Sequence, residues 1–210
     1  MENLGQQIAE YLLQIKAIKL NPANPYTWAS GIKSPIYCDN RKILSYPEIR
    51  TFVRDAFIDV ITDKFPEIEI IAGVATGAIA EGVLVAEKMG LPFIYVRSSA
   101  KEHGLQNTIE GDFDTSKKVL VIEDLVSTGK SSLEAVKALR EAGGTVLGMV
   151  AIFSYLLDEA KENFKKAKCH LVTLSDYNEL IKKAIENNYI HSNQIEALKE
   201  WRQNPKNWHK

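Results

Sequence analysis

Two adjacent acidic residues, Glu123 and Asp124, follow a run of four aliphatic residues at positions 119–122. Such a run predicts a strand that is buried on both faces of a sheet. Ser127, Thr128 and a glycine come next, and an amphipathic helix begins close to Lys130. Backbone N–H groups in a tight loop at a helix N-terminus bind phosphate, and carboxylates accept hydrogen bonds from hydroxyl groups. The segment therefore predicts a site for a sugar phosphate.

Two other interpretations fit parts of this segment. An acid pair after an aliphatic strand also occurs in nucleotide hydrolases, where it holds magnesium, and Gly129-Lys130-Ser131 is also typical of the end of a P-loop. A P-loop, however, requires a glycine five residues before Gly129, and Asp124 stands there. The acids and the phosphate loop are also one continuous segment, which P-loop proteins do not show. These two points favour the sugar phosphate.

The window 119–131 resembles the signature of type I phosphoribosyltransferases at nearly every position. The resemblance implies that the two acids hold the ribose 2′- and 3′-hydroxyls of phosphoribosyl diphosphate (PRPP), and that the following loop wraps its 5′-phosphate. The PRPP-binding residues implied here are Glu123, Asp124, Leu125, Val126, Ser127, Thr128, Gly129, Lys130 and Ser131.

A second group of candidate residues begins the aperiodic segment 98–115. Arg97 directly precedes this segment, Lys101 and His103 lie within it, and Gly104 and Gly111 are candidate hinges. Taken alone, this is a solvated basic loop. Beside a phosphoribosyl site, such cations would close over the leaving pyrophosphate, neutralise its developing charge and exclude water. We therefore expect a long functional loop.

The spacing Arg-x-x-x-Lys-x-His-Gly resembles that of orotate phosphoribosyltransferases, and the segment 27–41 is similar to their N-terminal Ser-Gly-x-x-Ser-Pro-x-Tyr hood. The resemblance implies transfer of ribose 5-phosphate from PRPP to orotate in pyrimidine biosynthesis. It places Arg97, Lys101 and His103 on the pyrophosphate side, Ser127 also in the orotate pocket, and Lys101 and Asp124 in catalysis. It further implies Mg²⁺ bound mainly through PRPP, no dedicated protein metal ligands, and a homodimer whose loop lysine and histidine serve the partner's site.

The chain departs from some members of that family at four places. Ser98 and Ala29 stand where some members carry lysine, and the turn 73–77 carries no charge. The strand after the phosphate helix ends in Ser154-Tyr155 where some members have an arginine that meets the base. These departures leave open which group meets the orotate carboxylate. The turn 73–77 is either a pyrophosphate-facing turn or a plain strand-to-helix connection.

Composition bounds the remaining function classes. The 210 residues carry a net charge of −1 and contain two cysteines without a metal-ligand spacing. Neither nucleic-acid binding nor membrane binding is indicated, and reduced thiols in a cytoplasmic protein are the expectation. Another purine or pyrimidine phosphoribosyltransferase is the alternative enzyme. A PRPP-sensing regulator is a further alternative, but it would be expected to carry a DNA-binding module or a basic face.

The elements that must position these residues alternate between strands and helices. The pattern predicts strands at 36–38, 69–74, 93–96, 118–123, 145–153 and 170–174, and helices at 2–18, 47–64, 78–88, 129–142, 159–166, 176–187 and 193–202. This order is typical of an α/β fold with a doubly wound, mostly parallel sheet flanked by helices, whose site lies at the carboxyl ends of the strands. We expect a single domain, 1–210, with a helix-plus-hairpin hood at 1–45, the core sheet within 66–175 and C-terminal helices at 176–210.

Overall fold

The computed structural model describes residues 3–28, 31–97 and 108–208. The N-terminal part consists of short elements. They are helix α1 (Leu4–Gln14), strands β1 (Ile18–Leu20), β2 (Tyr26–Thr27), β3 (Lys33–Ser34) and β4 (Ile36–Cys38), and a 3₁₀ helix (Asn40–Ser45). β1 pairs antiparallel with β4, and β2 pairs antiparallel with β3. Together β1 to β4 and the 3₁₀ helix are called the hood below.

The central sheet contains six strands within the described residues. The remaining elements are α2 (Pro47–Lys64), β5 (Ile70–Val74), α3 (Ile79–Met89), β6 (Phe93–Val96), β7 (Ile109–Glu110), β8 (Lys118–Val126), α4 (Lys130–Glu141), β9 (Thr145–Ser154), α5 (Asp158–Lys166), β10 (Leu171–Asp176), α6 (Tyr177–Glu186) and α7 (Ile195–Gln203). The strand order is β10-β9-β8-β5-β6-β7, and only the β6–β7 pair is antiparallel. The chain turns in opposite directions from β5 and from β8, so the switch point lies between these two strands.

The two faces of the sheet are buried by different helices. Ile71, Leu120 and Val150 point into a core that also includes residues of the hood, α1, α2, α3, α6 and α7. Ile70 and Val119, their strand neighbours, point to the opposite face, where α4 and α5 pack. Because successive strand residues face opposite sides, the aliphatic runs seen in the sequence are needed to cover both. The predicted doubly wound α/β fold is confirmed.

Several boundaries differ from the sequence prediction. The helix predicted at 2–18 ends at Gln14, because Lys16 adopts a positive φ of 54° and Ile18 begins a strand that pairs with Cys38. The predicted single hairpin is instead two separate strand pairs. β8 continues through Glu123 and Asp124 to Val126, since it pairs with β9 up to Ser154. Segment 98–115 is not loop throughout, because β7 extends the sheet edge at 109–110.

Among the described residues, no helix combines the length and the apolar character that crossing a membrane requires.

Candidate active site

A cavity of about 590 Å³ opens at the carboxyl ends of β5 and β8, between the hood and α4. This is the switch point of the sheet, where doubly wound folds bind ligands. The described residues that line it are Cys38, Asp39, Arg41, Val74, Ala75, Thr76, Gly77, Val96, Arg97, Thr108, Glu123, Asp124, Leu125, Ser127, Ser131, Glu134, Ala135 and Ala138. The structure thus brings the acid pair, the phosphate loop, Arg97 and the turn after β5 to one place.

The two acids of the pair have different surroundings. Glu123 is only 4% exposed, and its oxygens accept hydrogen bonds from Ser132 Oγ at 2.7 Å and from the Asp124 N–H at 2.9 Å. Burial, together with the neighbouring Asp124, raises the pKa of Glu123 well above its ordinary value. Asp124 is half-buried. Both lie at the cavity wall, but Glu123 is held from inside the protein, and Asp124 is the acid better placed to meet a ligand.

The position of Asp124 is fixed from two sides. Asn40 Nδ2 donates a hydrogen bond of 2.6 Å to the Asp124 backbone carbonyl, which ties the hood to β8. On the other side, the Asp124 carboxylate lies against Gly77, where an added Cβ would be 2.4 Å from Cγ and Oδ2. Only a residue without a side chain leaves this space. Gly77 therefore leaves open the space that the Asp124 carboxylate occupies.

The phosphate loop joins β8 to α4. Gly129, the N-cap of α4, has a φ of 76°, and a Cβ at this position would lie 2.6 Å from Phe164 Cε2. Asn163 Nδ2 donates to the Thr128 carbonyl at 3.0 Å, so α5 holds the loop from outside. The α4 N-terminus leaves backbone N–H groups and a positive dipole end for an anion.

The other loop residues are distributed around this turn. Val126 is buried, Leu125, Ser127 and Ser131 line the cavity, and Lys130 forms an ion pair of 3.4 Å with Glu159. A second cavity of about 590 Å³ lies on the other side of the loop and is lined by Thr128, Lys130 and again Ser127. Only part of the predicted PRPP-binding set therefore faces the main cavity.

Among the described residues, Arg97 and Arg41 are the arginines that line the main cavity. Arg97, at the end of β6, pairs with Glu110 at 3.3 Å. Arg41, in the hood, donates from Nε to Asp39 Oδ1 at 2.6 Å and is 60% exposed. The predicted loop cations Lys101 and His103 lie outside the described residues.

Four residues that the sequence analysis did not name individually lie in or near the site. Ser132 and Asn40 hold the acid pair, and Gly77 seats Asp124. The fourth, Glu81, lies in the first turn of α3 and is 4% exposed. Ser132 directly follows the phosphate loop, Asn40 lies within the segment 27–41, and Gly77 ends the turn 73–77, so their neighbourhood was visible in the sequence. Glu81 has no local signal, because its burial arises only when α3 packs onto the sheet.

The strand end Ser154-Tyr155 holds the hood. Tyr155 is 1% exposed, and its ring lies 5.1 Å from that of Trp28 and 5.6 Å from that of Trp201, between centroids. Trp201 Nε1 also donates to the Lys33 carbonyl at 3.1 Å. The hood is thereby fixed to α7 through aromatic packing and one hydrogen bond. Burial, together with nearby Cys38 and Asp124, raises the pKa of Tyr155.

The sequence matches the family described as phosphoribosyl transferase domain over residues 40–186. The fold, the cavity at the switch point and this match agree, and the chain belongs to the phosphoribosyltransferase family. Over 208 residues it is 54% identical to orotate phosphoribosyltransferases of Porphyromonas gingivalis and of Phocaeicola vulgatus, covering 99% of this chain and 99% and 98% of theirs. Within the family, its place is among the orotate phosphoribosyltransferases, as the three motifs predicted.

A solved structure supports the same grouping. The crystal structure of orotate phosphoribosyltransferase from Aeropyrum pernix superposes with a TM-score of 0.75 at 25% identity, over 84% of this chain and 97% of that chain. The similarity therefore includes the overall fold as well as the sequence.

Proposed function

We propose that this protein is an orotate phosphoribosyltransferase, which transfers ribose 5-phosphate from PRPP to orotate and releases diphosphate, in pyrimidine biosynthesis. One observation carries the proposal. Five residues of one continuous segment, Glu123, Asp124, Leu125, Ser127 and Ser131, line one wall of the cavity, with the acids at one end and the N-terminus of α4 at the other. A sugar that carries hydroxyls near its anomeric carbon and a phosphate at its 5-position matches this wall.

The ribose and the 5′-phosphate are placed by different parts of the wall. The Asp124 carboxylate accepts hydrogen bonds from the ribose hydroxyls, while Glu123 supports it from behind through the Asp124 N–H. The loop between Ser127 and Ser131 surrounds the 5′-phosphate with backbone donors. Fixing both ends of the sugar orients its anomeric carbon, so catalysis rests on positioning and electrostatics and needs no covalent nucleophile.

The orotate lies on the hood side of the cavity. Ser127 is the loop residue nearest the base in this assignment, and Arg41 is the hood cation that meets the orotate carboxylate. We assign this role to Arg41 because it lines the cavity. Its ion-pair partner, Asp39, belongs to the same hood segment. A guanidinium group suits a carboxylate because it presents paired N–H donors.

In the transfer step, the orotate nitrogen forms a bond to C1 of the ribose as the C1–O bond to the diphosphate breaks. The electron pair leaves with the diphosphate, and the proton of the attacking nitrogen is released. Positive charge develops on the ribose ring next to Asp124, and negative charge develops on the diphosphate. Arg97, Lys101 and His103 neutralise the leaving group, with Lys101 expected to have the largest single effect.

Magnesium fits this donor set when it is held mainly by the substrate. Among the described residues no group of three or more acidic, histidine or cysteine side chains is arranged to hold a metal ion. The Asp124 carboxylate lines the cavity and offers hard oxygen atoms beside the ribose. When bound with PRPP, Mg²⁺ would supply charge neutralisation for the diphosphate.

The substrate assignment is tested by comparing bases. The protein is incubated with PRPP and Mg²⁺ and with orotate, uracil, adenine or hypoxanthine, and diphosphate release is followed. Orotate should react at least about 10³-fold more efficiently than uracil, because uracil lacks the carboxylate and leaves the polar groups that would bind it without a partner. Comparable turnover of uracil or of a purine would instead identify another phosphoribosyltransferase. Binding of PRPP without turnover of any base would favour the regulator.

We also propose a homodimer with shared sites, in which Lys101 and His103 serve the partner's cavity. Mixing Lys101→Ala protein with Asp124→Asn protein tests this, because hybrid dimers would contain one site with both defects and one with neither. Activity should recover toward half that of the parent for each hybrid dimer. If the subunits exchange and no activity returns, Lys101 acts within its own chain.

The remaining parts of the proposal concern organisation and location. The chain is a single phosphoribosyltransferase domain, in which 1–45 form the hood segment, 66–175 contain the core sheet and 176–210 carry the C-terminal helices. A cytoplasmic location is supported by the free thiols of Cys38 and Cys169.

A further inference from the structure

Glu81 is a buried acid close to the site that the reaction described above does not use. It is 4% exposed, and within the part of the chain that the structure describes neither carboxyl oxygen has a hydrogen-bond partner on another residue. Buried polar groups are nearly always hydrogen-bonded, so a buried carboxyl with no partner on another residue requires an explanation. It lies in the first turn of α3, four residues after Gly77, against which the Asp124 carboxylate rests.

The charged groups that act on Glu81 come from two of the elements packed against α3. These elements are α2, β5, β6 and β8. β8 contributes Asp124 and α2 contributes Arg50, whereas β5 carries no titratable side chain and β6 carries only Tyr95. Burial and Asp124 raise the pKa of Glu81 from 4.5 to about 7, against smaller opposing effects of its own backbone N–H and of Arg50. Lys101 and His103 lie outside the described residues.

This inference rests on the proposed function. We infer that Glu81 is a positioning residue for the transfer reaction, and that its carboxyl group must lose its proton to solvent before the ribose acquires positive charge. In the protonated state, Asp124 alone provides negative charge beside the ribose. In the ionised state, Glu81 adds a second negative charge behind Asp124, within a buried environment where charges interact strongly. That second charge lowers the energy of a ribose that carries positive charge more than the energy of neutral ground-state ribose.

Three variants test this role. Glu81→Gln keeps the shape of the side chain and cannot ionise, Glu81→Asp keeps an ionisable group, and Glu87→Gln removes an exposed acid from the same helix. We measure kcat/KM for PRPP from pH 5.5 to 8.5. The parent and Glu87→Gln should rise through an inflection near pH 7. Glu81→Gln should lack this inflection, match the parent at pH 5.5 and be about tenfold slower at pH 8, while Glu81→Asp retains an inflection.

A measurement without substrate separates this inference from the proposed function. In protein labelled at glutamate carboxyl carbons, the NMR signal that is missing in Glu81→Gln should titrate near pH 7. The same signal should titrate at lower pH in Asp124→Asn, because one cause of the raised pKa is removed. Titration near 4.5, or a pH profile of Glu81→Gln that coincides with the parent, overturns the role of Glu81. A parent that does not convert orotate overturns the proposed function, whatever the titration gives.

Discussion

Replacing Gly77 with alanine should damage the site without disturbing the fold. The new Cβ would lie 2.4 Å from Asp124 Cγ and Oδ2 and 2.6 Å from Oδ1, well inside ordinary contact. The carboxylate must therefore move by about 1 Å. Misplacement of a reacting or orienting group by about 1 Å costs about 10²-fold in rate. We thus expect kcat/KM for PRPP to fall about 10²-fold, equivalent to about 2.7 kcal/mol of transition-state stabilisation.

The cause of this loss is tested with a double-mutant cycle. Steady-state kinetics are measured for the parent, Gly77→Ala, Asp124→Ala and the double variant. If the alanine acts by displacing the carboxylate, then adding Gly77→Ala to Asp124→Ala should change kcat/KM by no more than about threefold, since no carboxylate remains to be displaced. The thermal midpoint of Gly77→Ala should stay close to that of the parent. An equal loss in both backgrounds, or full activity of Gly77→Ala, would refute the reasoning.

Three further predictions concern other parts of the structure. Arg41→Gln should raise KM for orotate by about 10- to 10²-fold, because a charged hydrogen bond contributes about 1.5–3 kcal/mol; an equal rise in KM for PRPP contradicts the assignment to orotate. Gly129→Ala should lower the thermal midpoint by about 2–10 °C, since alanine is strained at a φ of 76° and meets Phe164. For Glu81, the folded pKa of about 7 exceeds the ordinary 4.5, so the parent loses stability as pH rises between these values. Denaturant unfolding should show that the free energy of unfolding of Glu81→Gln does not fall over this pH range. The fall in the parent amounts to at most about 3 kcal/mol. Equal pH dependence of parent and variant would contradict this prediction.

The sequence predicted the architecture well because the strands of the sheet are long and strongly patterned. The aliphatic run before Glu123 must be buried on both faces, and the alternation of such runs with amphipathic helices leaves few other arrangements. The hood was harder to predict. Its strands have two or three residues each, and Ile18 continues the helical pattern of α1 until pairing with Cys38 overrides it. Local patterns carry no information about such long-range pairing.

The candidate site divides in the same way. The acid pair and the phosphate loop are contiguous in the chain, so residue type and spacing are enough to predict them. The position of Asp124 depends on the turn at Gly77 and on Asn40, which lies 84 residues before Asp124 in the chain. The different surroundings of Glu123 and Asp124 also depend on Ser132, which faces inward only once α4 has packed. From the sequence alone, Glu123 and Asp124 were both expected to hold the ribose hydroxyls.

The attachment of the hood to α7 has a consequence for synthesis of the chain. Trp28 and Lys33 are made early, whereas their partner Trp201 belongs to the last helix. At ordinary translation rates roughly 10–35 s separate the two tryptophans. Until Trp201 is added, Tyr155 is the one of these two aromatic partners available to Trp28, and Lys33 lacks its hydrogen bond to α7. The hood therefore reaches its final position only after α7 has been made and has docked onto it.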